Sequence, residues 1–122
     1  MSERIKALIG KYPELFKDNG PRCGFHVGEG WMTLVEKLTA TIDRERLRAP
    51  EDIRDEIYVV QIKSKFAGLR YYINQGTSYI NGAIALAESM SYSICETCGN
   101  PAKLRNESWA VTLCDECYKE KI

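Results

Sequence analysis

Four of the five cysteines lie close together near the C-terminal end of the chain. Cys95 and Cys98 form one C-x-x-C pair, Cys114 and Cys117 form a second, and fifteen residues separate the pairs. Both thiolates of such a pair can bind one ion, and this spacing is typical of zinc sites. Four sulfur ligands complete a tetrahedral shell without an open position. The sequence therefore predicts a structural Zn²⁺ ion bound by all four thiolates.

Other uses of paired thiols are possible for this pattern. The first residues carry charges throughout and contain no long apolar run, so we expect a cytoplasmic protein, in which structural disulfides are disfavoured. A thioredoxin-type redox pair requires a βαβ setting and leaves the second pair without a role. A rubredoxin-like iron site uses the same four ligands and remains an alternative to zinc.

The residues between the two pairs are expected to form two short strands around the turn "NES", with Gly99 easing the backbone turn after the first pair. The segment resembles a zinc ribbon over about residues 94–119. Lys103, Arg105 and Trp109 offer a basic, aromatic surface that suits nucleic acid or a protein partner. Five acidic residues share the segment, which favours a solvated surface of mixed charge instead.

A second constellation lies in "QIKSKFAGLRYYI", which predicts a β-hairpin with "FAG" at its turn and Gly68 at positive φ. Strict alternation would place Val60 and Ile62 on one face and Val59 on the other. It also brings together two lysines, an arginine and a tyrosine, which suit a phosphate and a stacked base. A solvated sheet face beside an aromatic core is the alternative.

The loop over residues 18–30 is rich in glycine and contains Cys23 and His26. Its last residues, "VGEGW", lead into a helix and can offer backbone N–H groups to a phosphate. The candidate ligand-binding residues are therefore Lys63, Lys65, Arg70, Tyr72, His26 and Trp31. A nucleophilic Cys23–His26 pair can be imagined, but a hydrogen-bonded loop histidine and a small buried cysteine are favoured.

The rest of the chain predicts helices over residues 3–11 and 31–47, and from about Ser78, each with apolar residues at helical spacing. The expected fold is α+β, with a helical and hairpin core over 1–93 and a ribbon over 94–122. Seventeen basic residues balance seventeen acidic ones, so a general affinity for nucleic acid is not expected. No apolar run is long enough to span a membrane.

The order "YPELF", "CGFHVGEGWMTLVEKL", "QIKSKFAGLRYYI", "AES" and the four-cysteine ribbon resembles a family of small proteins encoded mostly by bacteriophages and prophages. The resemblance covers nearly the whole chain and is clearest at Gly30-Trp31 and over residues 63–70, where Ala67-Gly68 replaces the expected pair of glycines. It implies a counter-defence protein without enzymatic activity, which sequesters a phosphorylated second messenger such as a cyclic nucleotide. A homo-oligomer with sites between protomers is compatible with that role. The alternative is an adaptor for nucleic acid or protein that uses the ribbon.

Overall fold

A computed structural model describes residues 2–17, 20–21, 23–107 and 109–121 of the chain. The fold is α+β, as the sequence predicts. The elements, in chain order, are α1 (Glu3–Lys11), β1 (Phe25–His26), a 3₁₀ turn (Glu29–Trp31), α2 (Met32–Arg48), α3 (Glu51–Arg54), β2 (Val59–Lys65), β3 (Gly68–Ile73), α4 (Ser78–Ser91), β4 (Lys103–Arg105), β5 (Val111–Leu113) and α5 (Asp115–Lys121).

The N-terminal helix begins and packs as its sequence indicates. The Ser2 hydroxyl accepts a hydrogen bond from the backbone N–H of Ile5, which satisfies one of the free donors at the start of α1. Ile5, Leu8 and Ile9 share one face of the helix and are buried in the core. Helix α1 is therefore fixed to the core along a single apolar stripe.

A three-stranded sheet has the order β1-β2-β3, with β1 parallel to β2 and β2 antiparallel to β3. Its inner face buries Phe25, Ile62, Leu69 and Tyr71. The Tyr71 hydroxyl shares a 2.7 Å hydrogen bond with Thr39 of α2, so its polar end is satisfied inside the core. Because side chains alternate along a strand, the residues between these positions lie on the outer face.

The start of β2 departs from the expected alternation. The register shifts between Val59 and Gln61, where a β-bulge interrupts the pairing with β3. Val59 and Ile62 are therefore both buried although they stand three residues apart, and Val60 is only half-buried. The prediction that Val60 and Ile62 share one face and Val59 the other is wrong for this reason.

The turn between β2 and β3 also differs from the prediction. Phe66 (φ 52°) and Ala67 (φ 71°) occupy the left-handed region, and Gly68 does not. Gly68 is needed for space, because a Cβ there would overlap the phenol ring of Tyr92. The predicted turn is thus confirmed, but its strained positions belong to two residues that carry side chains.

Helix α4 covers the free edge of β3. The Glu88 carboxylate accepts a hydrogen bond from the backbone N–H of Tyr71, and the Ser91 hydroxyl accepts one from Leu69. These two bonds satisfy donors that an edge strand would otherwise leave unpaired. Ile80, Ile84 and Ala87 point into the core, whereas other apolar side chains of α4 stay exposed. Among the described residues, no helix is long and apolar enough to cross a membrane.

Candidate functional site

The four clustered cysteines converge on one point. The sulfur atoms of Cys95, Cys98, Cys114 and Cys117 all lie within 4.8 Å of one another, and the Sγ atoms of Cys98 and Cys114 are 3.6 Å apart. Tetrahedral zinc with bonds of about 2.3 Å requires S···S distances of roughly 3.8 Å, so the arrangement fits one ion. None of the five cysteines is paired in a disulfide in this structure. The predicted metal site is a closed set of four sulfur ligands.

Two backbone turns position the thiols: the first metal turn over residues 95–99 and the second over residues 114–117. Gly99 takes φ 86° after the first pair, and its N–H donates to the Cys95 carbonyl at 2.9 Å. At the second pair, the Cys117 N–H donates to the Cys114 sulfur at 3.5 Å. Strands β4 and β5 pair antiparallel and bring the second turn beside the first. The predicted two-stranded ribbon is therefore present, although Ser108 of the expected "NES" turn lies outside the described residues.

The pKa values of the clustered thiols are shifted in opposite directions. Burial raises the pKa of Cys95, but backbone hydrogen bonds from Cys114, Cys98 and Thr97 outweigh it and lower the pKa to about 6. Hydrogen bonds with neighbouring thiols, first that of Cys114, raise the pKa of Cys117. Four thiolates this close repel one another, so full ionisation of the cluster requires a bound cation.

The ribbon docks onto the loop that precedes α2. The indole N–H of Trp31 donates to the Ile94 carbonyl at 2.8 Å. The Gly30 N–H donates to the Glu96 carbonyl at 2.8 Å, and the Gly28 N–H donates to the Glu96 carboxylate at 3.0 Å. The N–H groups of Gly28 and Gly30, expected to hold a phosphate, are therefore occupied by the ribbon, and that prediction is wrong.

The glycines of this loop serve close packing. A Cβ at Gly30 would overlap the Cys95 carbonyl and the Gly99 backbone, and a Cβ at Gly28 would overlap Glu96. Only glycine lets the first metal turn approach the loop this closely. The glycine pattern thus marks a contact between two distant parts of the chain.

A row of basic side chains crosses the outer face of the sheet. The strand register places His26 beside Lys63, and Lys63 opposite Arg70. Lys65 lies two residues from Lys63 along β2, and Tyr72 lies two residues from Arg70 along β3, so both side chains are on this same face. Lys63, Lys65 and Arg70 take part in none of the ion pairs among the described residues. The structure thus brings five of the six candidate ligand-binding residues onto one surface.

Aromatic groups orient the cations of this row. The Lys63 amine lies 5.9 Å from the centre of the Tyr72 ring, which is 40% exposed. The Arg70 guanidinium donates to the Tyr92 hydroxyl at 3.1 Å, and this hydrogen bond raises the pKa of Arg70. The row therefore offers two differently held cations with an exposed ring beside them. Tyr92 was missed from the sequence because it lies 22 residues from Arg70 along the chain.

Two other predicted roles do not agree with the structure. Trp31 is fully buried and its indole N–H is bonded to Ile94, so it is a core residue rather than part of a ligand surface. Cys23 is exposed, contrary to the expected small buried group. The Cys23 carbonyl accepts a hydrogen bond from the Gln61 side chain, so the backbone of this residue helps to fix the loop against β2.

The ribbon surface is less basic than its composition indicates. The Arg105 guanidinium bonds Asp115 at 2.6 Å and the Leu113 carbonyl at 3.2 Å, and it stacks over the ring of Tyr118. Arg105 thus braces the ribbon itself. Trp109, 75% exposed, and Leu104 are large apolar side chains that this unit presents to solvent. The mixed-charge interpretation of the ribbon therefore fits better than a nucleic-acid surface.

A groove between α2 and α4 has a different character. Its lining is mostly apolar and includes the exposed side chains of Tyr79 and Leu86. Its cations, Lys37 and Arg44, both come from α2. Such a lining suits an apolar group rather than a phosphate, so the outer sheet face is the better anion site.

The fold and the cysteine cluster define the class of protein: a small α+β protein whose C-terminal ribbon carries four cysteines placed to hold a metal ion. Comparisons of the chain with protein-family models, with curated proteins and with solved structures find no match.

Proposed function

We propose that this chain is a zinc-binding protein that captures a phosphorylated, nucleotide-like small molecule on the outer face of its sheet and breaks no bond in it. The cysteine spacing supports zinc over iron, because it falls within the range typical of structural zinc sites. The metal stabilises the ribbon, which is too short to fold on a core of its own. Ligand capture belongs to the three-stranded sheet.

The row His26–Lys63–Arg70 is the observation that carries the proposal. It runs across three neighbouring strands, so the spacing of its members is set by the sheet rather than by flexible loops. Lys65 adds another exposed cation along β2. In a protein of zero formal net charge, three cations on one rigid face, Lys63, Lys65 and Arg70, form a local anion site without a general affinity for polyanions.

The side chains of the row suit a phosphate ester with a ring attached. Arginine and lysine form charge-assisted hydrogen bonds to phosphate oxygens. The exposed ring of Tyr72 lies beside Lys63, where it can stack on a planar group. The Glu96 carboxylate, bonded to Gly28 and Ser64, lies toward the His26 end, so we place the phosphate over Lys63, Lys65 and Arg70.

The biological role that we propose is sequestration. The resemblance to proteins of phages and prophages supports a function inside an infected bacterial cell, where signalling nucleotides activate host immunity. A protein that holds such a nucleotide lowers its free concentration without turnover. The four-sulfur metal centre agrees with this role, because it leaves no open position for a substrate or a reactive water.

Calorimetric titration with a panel of cyclic mononucleotides, cyclic dinucleotides and ATP at low salt tests the proposal. We expect at least one member to bind the wild-type chain with measurable heat. Lys63→Ala and Arg70→Gln should each weaken that binding about tenfold, since a hydrogen bond to a charged group contributes about 1.5–3 kcal/mol.

Lys37→Ala is the matched control, because it removes the same charge from an exposed site on α2. It should leave the affinity within about twofold of wild type, as expected of a surface charge distant from the ligand. Flat heats across the whole panel would refute the proposed ligand class. Equal losses in Lys37→Ala and Lys63→Ala would show that binding follows net charge instead of this face.

A further inference from the structure

The tip of the β2–β3 hairpin holds two side-chain-bearing residues in a conformation that favours glycine. Phe66 has φ 52° and Ala67 has φ 71°. Two-residue hairpin turns of this geometry strongly prefer Asn-Gly, and a bulky residue at positive φ is unusual. The side chain of Phe66 gains little burial in return, because it is 75% exposed. The fold therefore maintains a strained turn that displays an aromatic ring.

The ribbon holds this turn in place. The Thr112 hydroxyl of β5 donates a 2.7 Å hydrogen bond to the Ala67 carbonyl, and both residues are buried. The next residue, Gly68, packs against the ring of Tyr92. On the other side of the turn, Ser64 donates to the Glu96 carboxylate at 3.1 Å. Contacts from outside the hairpin thus hold the backbone of the turn that carries Phe66.

We propose that Phe66 is the stacking platform for the base of a nucleotide whose phosphates lie over the Lys63–Arg70 pair; this inference rests on the function proposed above. The Lys65 amine lies over the Phe66 ring, 5.6 Å from its centre, so a cation adjoins the platform. Aromatic side chains exposed on a rigid sheet or hairpin stack bases of any sequence, because every base has a π-face.

The distances along the strand fit such a ligand. Extended chain rises about 3.3 Å per residue, which separates Lys63 from Lys65 by roughly 7 Å, and Phe66 follows Lys65 directly in the turn. Lys65 therefore lies between Lys63 and Phe66, on the same face as Lys63. A nucleotide laid along β2 therefore meets cations at its phosphate end and the exposed ring at its base end.

The test compares ATP with inorganic tripolyphosphate, which carries the same phosphate chain without a base. We expect the wild-type chain to bind ATP at least about fivefold more tightly, because base stacking contributes about 1–3 kcal/mol. Phe66→Asn should lose most of this preference while its affinity for tripolyphosphate stays at the wild-type value; the remaining preference is that of the Tyr72 ring. Asparagine tolerates positive φ, so this variant keeps the turn and should melt no lower than wild type.

Each outcome separates the platform from the anion site. Equal wild-type binding of both probes would overturn the stacking role of Phe66 while leaving the phosphate site standing. An unchanged ATP preference in Phe66→Asn would overturn it as well. Failure of both probes to bind the wild-type chain would overturn both proposals. The proposal predicts that Phe66→Asn loses most of its ATP preference while it still binds tripolyphosphate, and that Lys63→Ala weakens the binding of both probes. These results together would establish that Phe66 stacks on the base and Lys63 binds the phosphates.

Discussion

At the scale of single residues, small side chains decide which surfaces can meet. Gly30 admits the first metal turn to the loop before α2, and Gly68 admits the ring of Tyr92 to the hairpin. Neither requirement comes from a positive φ, because both residues have backbone conformations open to other amino acids. Glycine is required at these positions by the groups that approach from distant parts of the chain.

Gly68→Ala should destabilise the fold by about 2 kcal/mol or more, because the new methyl group must displace the half-buried ring of Tyr92 or the strand itself. Gly82→Ala is the matched control. It introduces the same methyl group in the middle of α4, where nothing lies within 4 Å, and should stabilise the protein by about 0.5–1 kcal/mol through helix propensity. Urea denaturation of both variants measures the difference. Equal effects of the two substitutions would show that Gly68 is not a packing position.

At the scale of elements, a buried hydroxyl of the ribbon binds the turn of the hairpin. Thr112 is fully buried, its side chain donates to Ala67 and its carbonyl accepts from the Glu96 N–H. One residue of β5 thus ties the turn of the hairpin to the first metal turn. The strained conformation at residues 66–67 depends on that link.

Thr112→Val should cost about 1–3 kcal/mol of unfolding free energy, because it leaves the Ala67 carbonyl buried without a partner. Thr41→Val in α2 is the comparison, since the Thr41 hydroxyl bonds only a carbonyl of its own helix at an exposed position. We expect that change to stay within about 0.5 kcal/mol of wild type. Urea or thermal denaturation measures the free energy of unfolding of both variants. If Thr112→Val is as stable as Thr41→Val, the proposed role of the Thr112–Ala67 hydrogen bond is wrong.

The elements also show what local sequence patterns can and cannot predict. Helices α1, α2 and α4 and the β2–β3 hairpin follow from the spacing of apolar residues over stretches long enough to show a period. Strand β1 has two residues and α3 has four, so neither is long enough to show a period. Helix α5 begins inside the second cysteine pair and contains Cys117, and its short charged sequence carries no apolar stripe.

The same limit applies to the candidate site. The metal ligands could be predicted because both pairs carry a local spacing rule. The cation row could be predicted in part, since Lys63 and Lys65 stand two apart on a strand and Arg70 returns across the turn. Glu96 accepts hydrogen bonds from the N–H groups of Gly28 and Gly30, which lie more than sixty positions away in the sequence. No local sequence pattern predicts a contact over that separation.

At the scale of the whole molecule, the ribbon supports surfaces beyond its own four cysteines. The ribbon contributes a carbonyl to Trp31, two acceptors to the loop before α2, and a hydroxyl to the hairpin turn. If the ion folds the ribbon, loss of the ion removes all of these contacts together. The arrangement of the proposed ligand surface then depends on a metal that touches none of its residues.

Metal content is therefore the most direct test of this account. Elemental analysis of freshly purified protein should find about one zinc ion per chain, and a chelator should lower the melting temperature as it removes the metal. Cys98→Ser should lose the ion, whereas Cys23→Ser, which changes an exposed thiol outside the cluster, should keep it and melt as wild type does. Protein that contains neither zinc nor iron and melts unchanged in chelator would contradict the claim that a bound ion folds the ribbon.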